Sequence, residues 1–119
     1  MSNVRCNDIK PNERKLFRYL IRQIDYKGLD YVKNLEGVIS TSRFLKHIRH
    51  FKESTDVSYN QIYYYLNKWS DRCILKIYDY CVCFDFEEIV KKPHYRSMVP
   101  SRVNKQFFNL YKNFANEVL

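Results

Sequence analysis

The chain has 119 residues, which suits one compact domain, and 45% of them are hydrophobic, which is enough to form a core. The 21 Lys and Arg residues outnumber the 13 Asp and Glu residues, and the net charge of +8 favours a polyanionic partner such as nucleic acid. No apolar run approaches the ~20 residues that span a bilayer, and the polar N-terminus lacks the apolar stretch of a secretion signal, which predicts a cytoplasmic protein with no membrane partner.

The first part of the chain is predicted to form a helix followed by a short extended segment. Pro11 suits the first turn of a helix, and apolar residues at helical spacing follow it as far as Ile24. We expect this helix to end near Gly28, and a second short helical piece to end at Gly37. The residues Val38–Ile39 are then predicted to be extended.

A second helix is predicted to follow, with Ser40 or Thr41 as its N-cap. Its apolar face is expected to consist of Phe44, Leu45, Ile48 and Phe51. Its other face carries cations with no acid between them: Arg43, Lys46, Arg49 and Lys52. Because the acids are concentrated elsewhere in the chain, we expect this face to have a positive field.

The stretch SYNQIYYYLNKW, which begins at Ser58, predicts a third helix with Asp56 or Ser58 as its N-cap. Its apolar residues recur at i, i+4, i+7 spacing and are predicted to be buried: Ile62, Leu66 and Trp69. The three consecutive tyrosines cannot all lie on that face. We expect Tyr65 to close the core and Tyr63 and Tyr64 to be exposed, with packing against another helix as the alternative for those two.

Two strands and a final helix are predicted for the rest of the chain. The segments Cys73–Tyr78 and Tyr80–Phe86 favour strands that meet in a tight turn at Asp79. A basic loop, VKKPHYRSMVP, follows, and no acid occurs from Lys91 to Lys112. Ser101 is predicted to cap a last amphipathic helix.

This order of elements resembles the winged helix-turn-helix family of DNA-binding domains, of the small kind found in archaeal viruses, plasmids and prokaryotic regulators. The residues that match the family's recognition helix and the start of its wing are Ser58, Ile62, Leu66 and Trp69, followed by Cys73-Ile74-Leu75. The family's usual glycine after this helix is replaced around Arg72–Cys73. The composition, with 11 Tyr and 2 Gly, is also similar to that of small proteins from such viruses or plasmids, for which the cytoplasm would be that of the host cell.

The resemblance implies an α+β, mostly helical fold: a winged helix-turn-helix with a two-stranded wing and an added C-terminal helix. Residues 1–119 would form a single domain, with the winged helix core in residues 12–88. The basic loop and a dimerisation helix would occupy residues 89–119. The implied function is that of a sequence-specific double-stranded DNA-binding protein, a homodimeric transcriptional regulator that reads the major groove with helix 58–70.

The residues themselves suggest how such a helix would read DNA. Asn and Gln side chains can pair with adenine edges, and tyrosines can contact phosphate or a thymine methyl, while cations on neighbouring segments hold the backbone. The predicted DNA contacts are Arg43, Lys46, Arg49, Ser58, Tyr59, Asn60, Gln61, Tyr63, Tyr64, Asn67, Lys68, Lys76, Lys91, Lys92 and Arg96. The wing tip is short and acidic, so its contacts are expected to be limited to Lys76 and Tyr80, or to pass to His94 and Tyr95 in the basic loop.

The last helix is predicted to form a homodimer, because it has more apolar surface than one edge of a small domain needs. The interface residues would be Phe107, Leu110, Tyr111 and Phe114. Packing of this helix on the first helix within one subunit is the alternative. In a dimer, two recognition helices would meet half-sites roughly one DNA turn apart.

Other functions remain open from the sequence. A single-stranded or non-specific nucleic-acid binder in replication or packaging could stack its tyrosines on bases, and a winged-helix protein-interaction module could use them as an interface. No Gly-rich phosphate loop or metal-ligand spacing occurs, so we expect no enzyme, no metal, no cofactor and no small-molecule substrate. The cysteines Cys73, Cys81 and Cys83 are predicted to be small buried hydrophobes or to form a disulfide between the strands.

Overall fold

The structure is a computed structural model of the chain and describes residues 9–24 and 36–100. The helices in these residues are α1 (Pro11–Arg22), α2 (Thr41–Ser54), α3 (Tyr59–Asp71), α4 (Phe86–Val90) and α5 (Pro93–Arg96). The strands are β1 (Glu36–Ser40), β2 (Leu75–Ile77) and β3 (Cys81–Asp85). The predicted class, α+β and mostly helical, is confirmed. The last helix predicted from Ser101, and with it the four predicted dimer residues, lies outside the described residues.

The three strands form one antiparallel sheet in the order β1-β3-β2. Ile39 of β1 and Ile77 of β2 both lie opposite Val82 in the central strand β3. The hairpin that the sequence predicts is therefore present, with both strands shorter than predicted. The extended segment before α2 is also present. It pairs with β3, although α2 and α3 separate the two strands in the sequence.

Aromatic rings from four elements form the centre of the core. The ring centroid of Phe17 on α1 lies 5.2 Å from that of Trp69 on α3, with the rings edge to face. It lies 5.9 Å from Phe84 on β3 and 5.6 Å from Tyr95 on α5. Such pairs contribute ~0.5–1.5 kcal/mol each beyond the area that they bury, so this cluster holds α1, α3, α5 and the sheet together.

Helices α2 and α3 begin at the N-caps that the sequence predicts, Ser40 and Ser58. Each hydroxyl oxygen accepts a hydrogen bond from the backbone N–H three residues later, at 3.4 Å and 3.2 Å. The prediction that Leu45 belongs to the apolar face of α2 is wrong, because its side chain is 53% exposed. Leu45 lies about 100° around the helix from Phe44, outside the buried stripe.

Helix α1 ends at Arg22, so the prediction that it continues to Gly28 is wrong. The backbone N–H groups of Gln23 and Ile24 donate to carbonyls three residues back, at 2.9 Å and 3.4 Å. This spacing tightens the last turn and ends the helix. Apolar periodicity continues through Ile24 because that side chain still packs on the core.

Gly37 lies inside β1 opposite Phe84. The short helical piece that the sequence predicts before it lies outside the described residues. A Cβ atom at this position would lie 2.6 Å from Cε2 of Phe86 and 2.7 Å from Cδ1 of Ile24. Both distances are well inside van der Waals contact. Glycine is therefore required here because the side chains of Phe86 and Ile24 occupy the space that a Cβ atom would fill. The backbone conformation itself is not one that demands glycine, since φ is not positive.

Helix α3 ends in a Schellman motif. The N–H of Ile74 donates to the carbonyl of Trp69 at 3.1 Å, and the N–H of Cys73 donates to the carbonyl of Ser70 at 3.0 Å. Cys73 takes the left-handed conformation that the motif requires, with φ of 66°, at the position where glycine is the usual residue. The helix end thus keeps the geometry of a glycine cap, with the strain that a Cβ atom adds there.

The segment after β3 is helical, and the prediction of a basic loop is wrong. The carboxylate of Asp85 caps α4 by accepting the N–H of Glu88 at 3.2 Å, and Pro93 starts α5. Tyr95 is buried in the core. It therefore does not lie on an exposed loop, where its predicted contact with DNA would require it to be.

The cysteines of the described residues do not form the predicted disulfide. Cys73 is exposed at the end of α3 and forms no disulfide with Cys81 or Cys83. Cys81 and Cys83 lie on the same face of β3, with their Sγ atoms 3.9 Å apart. Cys83 is buried, as expected for a small hydrophobe, whereas Cys73 is not.

Candidate nucleic-acid interface

Helix α3 presents an uncharged polar face to solvent. Its apolar side is buried as the spacing predicts, and Tyr65 is buried with it. Tyr63 is 49% exposed and Tyr64 is 64% exposed, in agreement with the prediction. The exposed residues from the start of α3 to its third turn are Tyr59, Asn60, Gln61, Tyr63, Tyr64 and Asn67. This face offers hydrogen-bond donors, acceptors and aromatic surface without a formal charge.

The exposed tyrosines of α3 are arranged by contacts with each other and with α2. The rings of Tyr59 and Tyr63 stack with centroids 6.3 Å apart and planes inclined by 22°. The Nζ atom of Lys52 on α2 lies 5.6 Å from the centroid of the Tyr59 ring. Tyr64 contacts the buried Tyr65 edge to face at 5.7 Å. The stack and the lysine join the start of α3 to the end of α2.

A shallow groove lies beside the first turns of α3. It is lined by Asn60, Gln61 and Tyr64, together with Lys10 at the start of α1, the buried Tyr65 and the partly buried Lys68. Two of the amide side chains that the sequence predicts as DNA contacts therefore border the same opening. The structure brings these two predicted site residues together on one side of the helix.

The cations of α2 have no acidic partner in the described part of the chain. Within residues 9–24 and 36–100, Arg43, Lys46 and Arg49 form no ion pair. All three are exposed. Their charges are therefore available to a polyanion, as the sequence predicts for this helix.

The other predicted lysine contacts are paired with acids. Lys76 lies 3.2 Å from Asp85, and Lys92 lies 2.9 Å from Glu88. Lys91 is within 4 Å of both Glu87 and Glu88, at 3.8 Å and 3.4 Å. The hydrogen bond and the charge of Lys92 hold the pKa of Glu88 below its usual value. The predicted acid-free basic segment is thus neutralised in part by the acids of α4 just before it, while Arg96 is exposed on α5.

Lys68 is bound to a buried acid that the sequence analysis missed. Glu13 on α1 is fully buried, and its carboxylate accepts hydrogen bonds from Lys68 Nζ at 2.8 Å, Trp69 Nε1 at 2.8 Å and Tyr95 Oη at 3.1 Å. The Lys68 side chain is only 13% exposed, so the prediction that it lies on the exposed face of the helix is wrong. Arg72 in turn donates to Tyr95 Oη at 2.9 Å.

This network fixes α3 against α1 and α5. Burial, and next the nearby carboxylate of Glu13, raise the pKa of Tyr95, so its hydroxyl stays a donor. A sequence signal for the network does exist. Glu13 precedes Leu16, Phe17 and Leu20 at helical spacing, which places the acid on the apolar face of α1. Acids are common in the first turn of a helix, where they interact favourably with the helix dipole on any face. The presence of Glu13 there does not by itself indicate that it is buried.

The tip of the β2–β3 hairpin exposes large side chains around Asp79 and rests on the start of α2. Ile77, Tyr78 and Tyr80 are all exposed, Tyr80 most of all at 87%. The N–H of Thr41 donates to the carbonyl of Tyr80 at 3.0 Å, and its hydroxyl donates to the carbonyl of Asp79 at 3.4 Å. Of the two wing contacts expected from the sequence, Tyr80 is open to a partner and Lys76 is held by its acid.

Residues 9–24 and 36–100 contain neither a metal-binding cluster nor a membrane-spanning helix. No three or more His, Cys, Asp or Glu side chains in these ranges converge where they could hold a metal ion. No helix in the same ranges is long and apolar enough to cross a membrane.

No protein-family model, no curated protein and no solved structure matches the chain.

Proposed function

We propose that this protein binds duplex DNA as a winged helix-turn-helix domain, with α2 and α3 as the helix-turn-helix and the β2–β3 hairpin as the wing. One observation carries the proposal: the uncharged polar face of α3 lies beside Lys52 of α2, which contacts Tyr59 and has no acid partner in the described residues. The order of helices and strands and the sheet order β1-β3-β2 support it.

The dimensions and chemistry of α3 suit the major groove. Its 13 residues extend about 20 Å at ~1.5 Å per residue, and an α-helix fits the width of that groove. Asn60 and Gln61 have the donor–acceptor pair that reads an adenine edge. Lys52 lies on the side of α2 that approaches α3, and Arg49 lies about 60° around the helix from it. Both would hold phosphates and position the helix.

We further propose that the protein acts as a homodimeric transcriptional regulator in the cytoplasm. A single helix reads only a few base pairs, so two copies on neighbouring half-sites would give the specificity that regulation requires. The dimer contacts proposed from the sequence, residues 107–114, lie outside the described residues. Light scattering of the full chain with and without duplex would measure the number of copies.

The first experiment is binding of the full chain to a labelled random-pool duplex and to the matching single strand, by fluorescence anisotropy over a salt series. We expect duplex preference and a log–log salt slope that corresponds to ~5 or more phosphates. The preferred site is then selected from the pool. Asn60→Ala and Gln61→Ala should weaken binding to that site by ~1–3 kcal/mol each and leave binding to random duplex almost unchanged.

Ser70→Ala, at the other end of α3, is the matched control for these two variants because Ser70 is exposed and polar. Equal losses on the selected and the random duplex would rule out base reading by Asn60 and Gln61. Absence of binding to any nucleic acid at moderate salt would overturn the proposal and point to a protein partner.

Single-strand binding is a second candidate, favoured by the stacked and exposed Tyr59 and Tyr63. Such rings can stack on unpaired bases at ~1–3 kcal/mol per base. Tyr63→Ala compared with Tyr63→Phe separates the two functions, since stacking needs the ring and a phosphate contact needs the hydroxyl. If the single strand binds more tightly and Phe restores the affinity, the tyrosines serve base stacking.

A further inference from the structure

An open groove with a volume of about 610 Å³ lies between α1 and α2. Tyr19 of α1 borders it, and the ring of Tyr19 contacts His47 edge to face at 6.1 Å and stacks with His50 at 6.3 Å. The other residues that matter here are Arg43, Lys46 and Arg49, which also line the groove. The groove is thus built from one aromatic ring, two imidazoles and three cations.

This groove lies on a different side of α2 from the proposed DNA-binding face. Lys52 marks the side near α3, because it contacts the ring of Tyr59. At ~100° per residue, Arg43 is about 180° and Lys46 about 120° around the helix from Lys52. Arg49, at about 60°, lies between the two sides. A duplex seated on α3 would therefore leave Arg43 and Lys46 unused.

The groove concentrates positive charge with little to offset it. Glu53 is the single acid among the residues that line it, and the three cations form no ion pair in the described part of the chain. Burial, then the charges of Arg43, His50 and Lys46, lower the pKa of His47. The Nε2 atom of His47 is shielded from solvent and has no hydrogen-bond partner among the described residues. The clustered charges around His47 describe a site in which an anion would relieve repulsion.

We propose that the α1–α2 groove binds a phosphate group, at a site separate from the DNA-reading face of α3. Guanidinium groups bind phosphate through paired N–H donors, and Lys46 adds a point charge. The volume falls in the ~300–1,000 Å³ range of small-ligand sites, and the Tyr19 and His50 rings offer a flat surface to a base or sugar. Two sources share this chemistry: a free phosphate or nucleotide, and a phosphodiester of a nucleic acid that passes along this side.

The test follows the imidazole NMR signals of His47 and His50 in the full chain as ligand is added at constant ionic strength. Inorganic phosphate, adenosine monophosphate and a short duplex are the three ligands, and sodium chloride is the reference. We expect saturable shifts with phosphate or the nucleotide, with Kd of about 1 mM or tighter. The bound anion should also raise the pKa of His47, because it offsets the repulsion from Arg43 and Lys46.

Arg43→Gln and Arg14→Gln form a matched pair of variants. Both remove one exposed guanidinium, but Arg14 lies about 140° around α1 from Tyr19 and does not border the groove. Arg43→Gln should weaken phosphate binding about tenfold or more, and Arg14→Gln less than about twofold. Circular dichroism melting of each variant confirms that the fold is intact.

Each outcome decides the proposal. Shifts that appear only with the duplex and are lost in Arg43→Gln support the site with a phosphodiester as its ligand. Shifts that do not saturate with any of the three ligands, or equal weakening by both variants, overturn it. The outcome is independent of the proposed function of α3, because Asn60→Ala should weaken binding to the selected duplex and leave phosphate binding unchanged.

Discussion

Two basic regions of this molecule look alike in sequence and differ in structure. The cations of α2, Arg43, Lys46 and Arg49, have no acidic partner in the described residues, whereas Lys76 and Lys92 pair with Asp85 and Glu88. The difference arises from acids on neighbouring turns and strands, which a count of Lys and Arg along the chain does not reveal. Net charge therefore predicts that a polyanion is the partner, and the local pairs decide which face meets it.

The buried pair of Glu13 and Lys68 sharpens the comparison by showing what a paired lysine contributes when solvent is excluded. We expect Glu13→Gln to lower the free energy of unfolding by about 3 kcal/mol, because it removes the charge of a buried carboxylate that accepts hydrogen bonds from Lys68, Trp69 and Tyr95. Urea denaturation measures this loss. Glu87→Gln is the control: Glu87 pairs with Lys91 at the surface, and its loss should cost less than about 0.5 kcal/mol.

A pair of substitutions tests the comparison directly on nucleic acid. Arg49→Gln should weaken binding to any duplex about fivefold and lower the salt slope by about one unit, because one phosphate contact is lost. Lys92→Gln should have a smaller effect, since Lys92 is already paired with Glu88. Anisotropy titrations over a salt series measure both, and equal losses for the two variants would break the distinction between paired and unpaired cations.

Stability can be changed with no change of charge at the end of α3. Cys73→Gly should raise the free energy of unfolding by about 1 kcal/mol, since glycine removes the strain of φ 66°. Thermal melting measures the gain, and Cys73→Ala should give none. Duplex affinity should stay the same in both variants; a change would mean that stability, and not charge, explains the effects of the other substitutions.

Removal of the acid from an ion pair should leave the lysine of that pair able to contact a phosphate. Glu88→Gln frees Lys92 and should strengthen duplex binding about threefold, if the C-terminal segment approaches the phosphates. Asp56→Asn makes the same charge change at an exposed acid without an ion pair to a lysine in the described residues. A similar gain from both variants would show that only net charge matters, and that the pairing of Lys92 does not.

The smallest expected effect concerns the field of the unpaired cations at His47. Its folded-state pKa is lowered from 6.5, first by burial and then by Arg43, His50 and Lys46, so the unfolded chain binds the proton more tightly. The resulting stability is fully present above pH 6.5 and is lost as the pH falls through 6.5 toward the folded pKa. His47→Asn should reduce the fall in Tm between pH 7.5 and 5.5, whereas His94→Asn, at an exposed residue, should not.

Local signals predicted the parts of the fold that depend on neighbours in sequence. Ser40 and Ser58 were readable as caps, and the spacing of Ile62 and Trp69 oriented α3 with Tyr63 and Tyr64 outside. The pairing of β1 with β3 could not be predicted in this way, because the two strands are separated in sequence by two helices. The need for glycine at position 37 could not be predicted for the same reason, since the side chains that exclude a Cβ atom come from distant segments.

The candidate site was predictable to a different extent on its two helices. The exposed amides and tyrosines of α3 follow from helical periodicity alone. The roles of Lys68 and Tyr95 did not follow, since both depend on a buried acid in α1 that resembles an ordinary first-turn glutamate. The groove at Tyr19 was also hidden, because it exists only once α1 and α2 pack side by side.

The position of Trp69 has a practical consequence for measurements on this molecule. It is the single tryptophan of the chain, its ring is fully buried against Phe17 and Phe84, and its indole N–H is held by Glu13. Its fluorescence therefore reports, without any added label, on the junction at which α1, α3 and the sheet meet. Ligands on the outer faces of α2 and α3 do not touch it, so a change in its emission marks a rearrangement of the core.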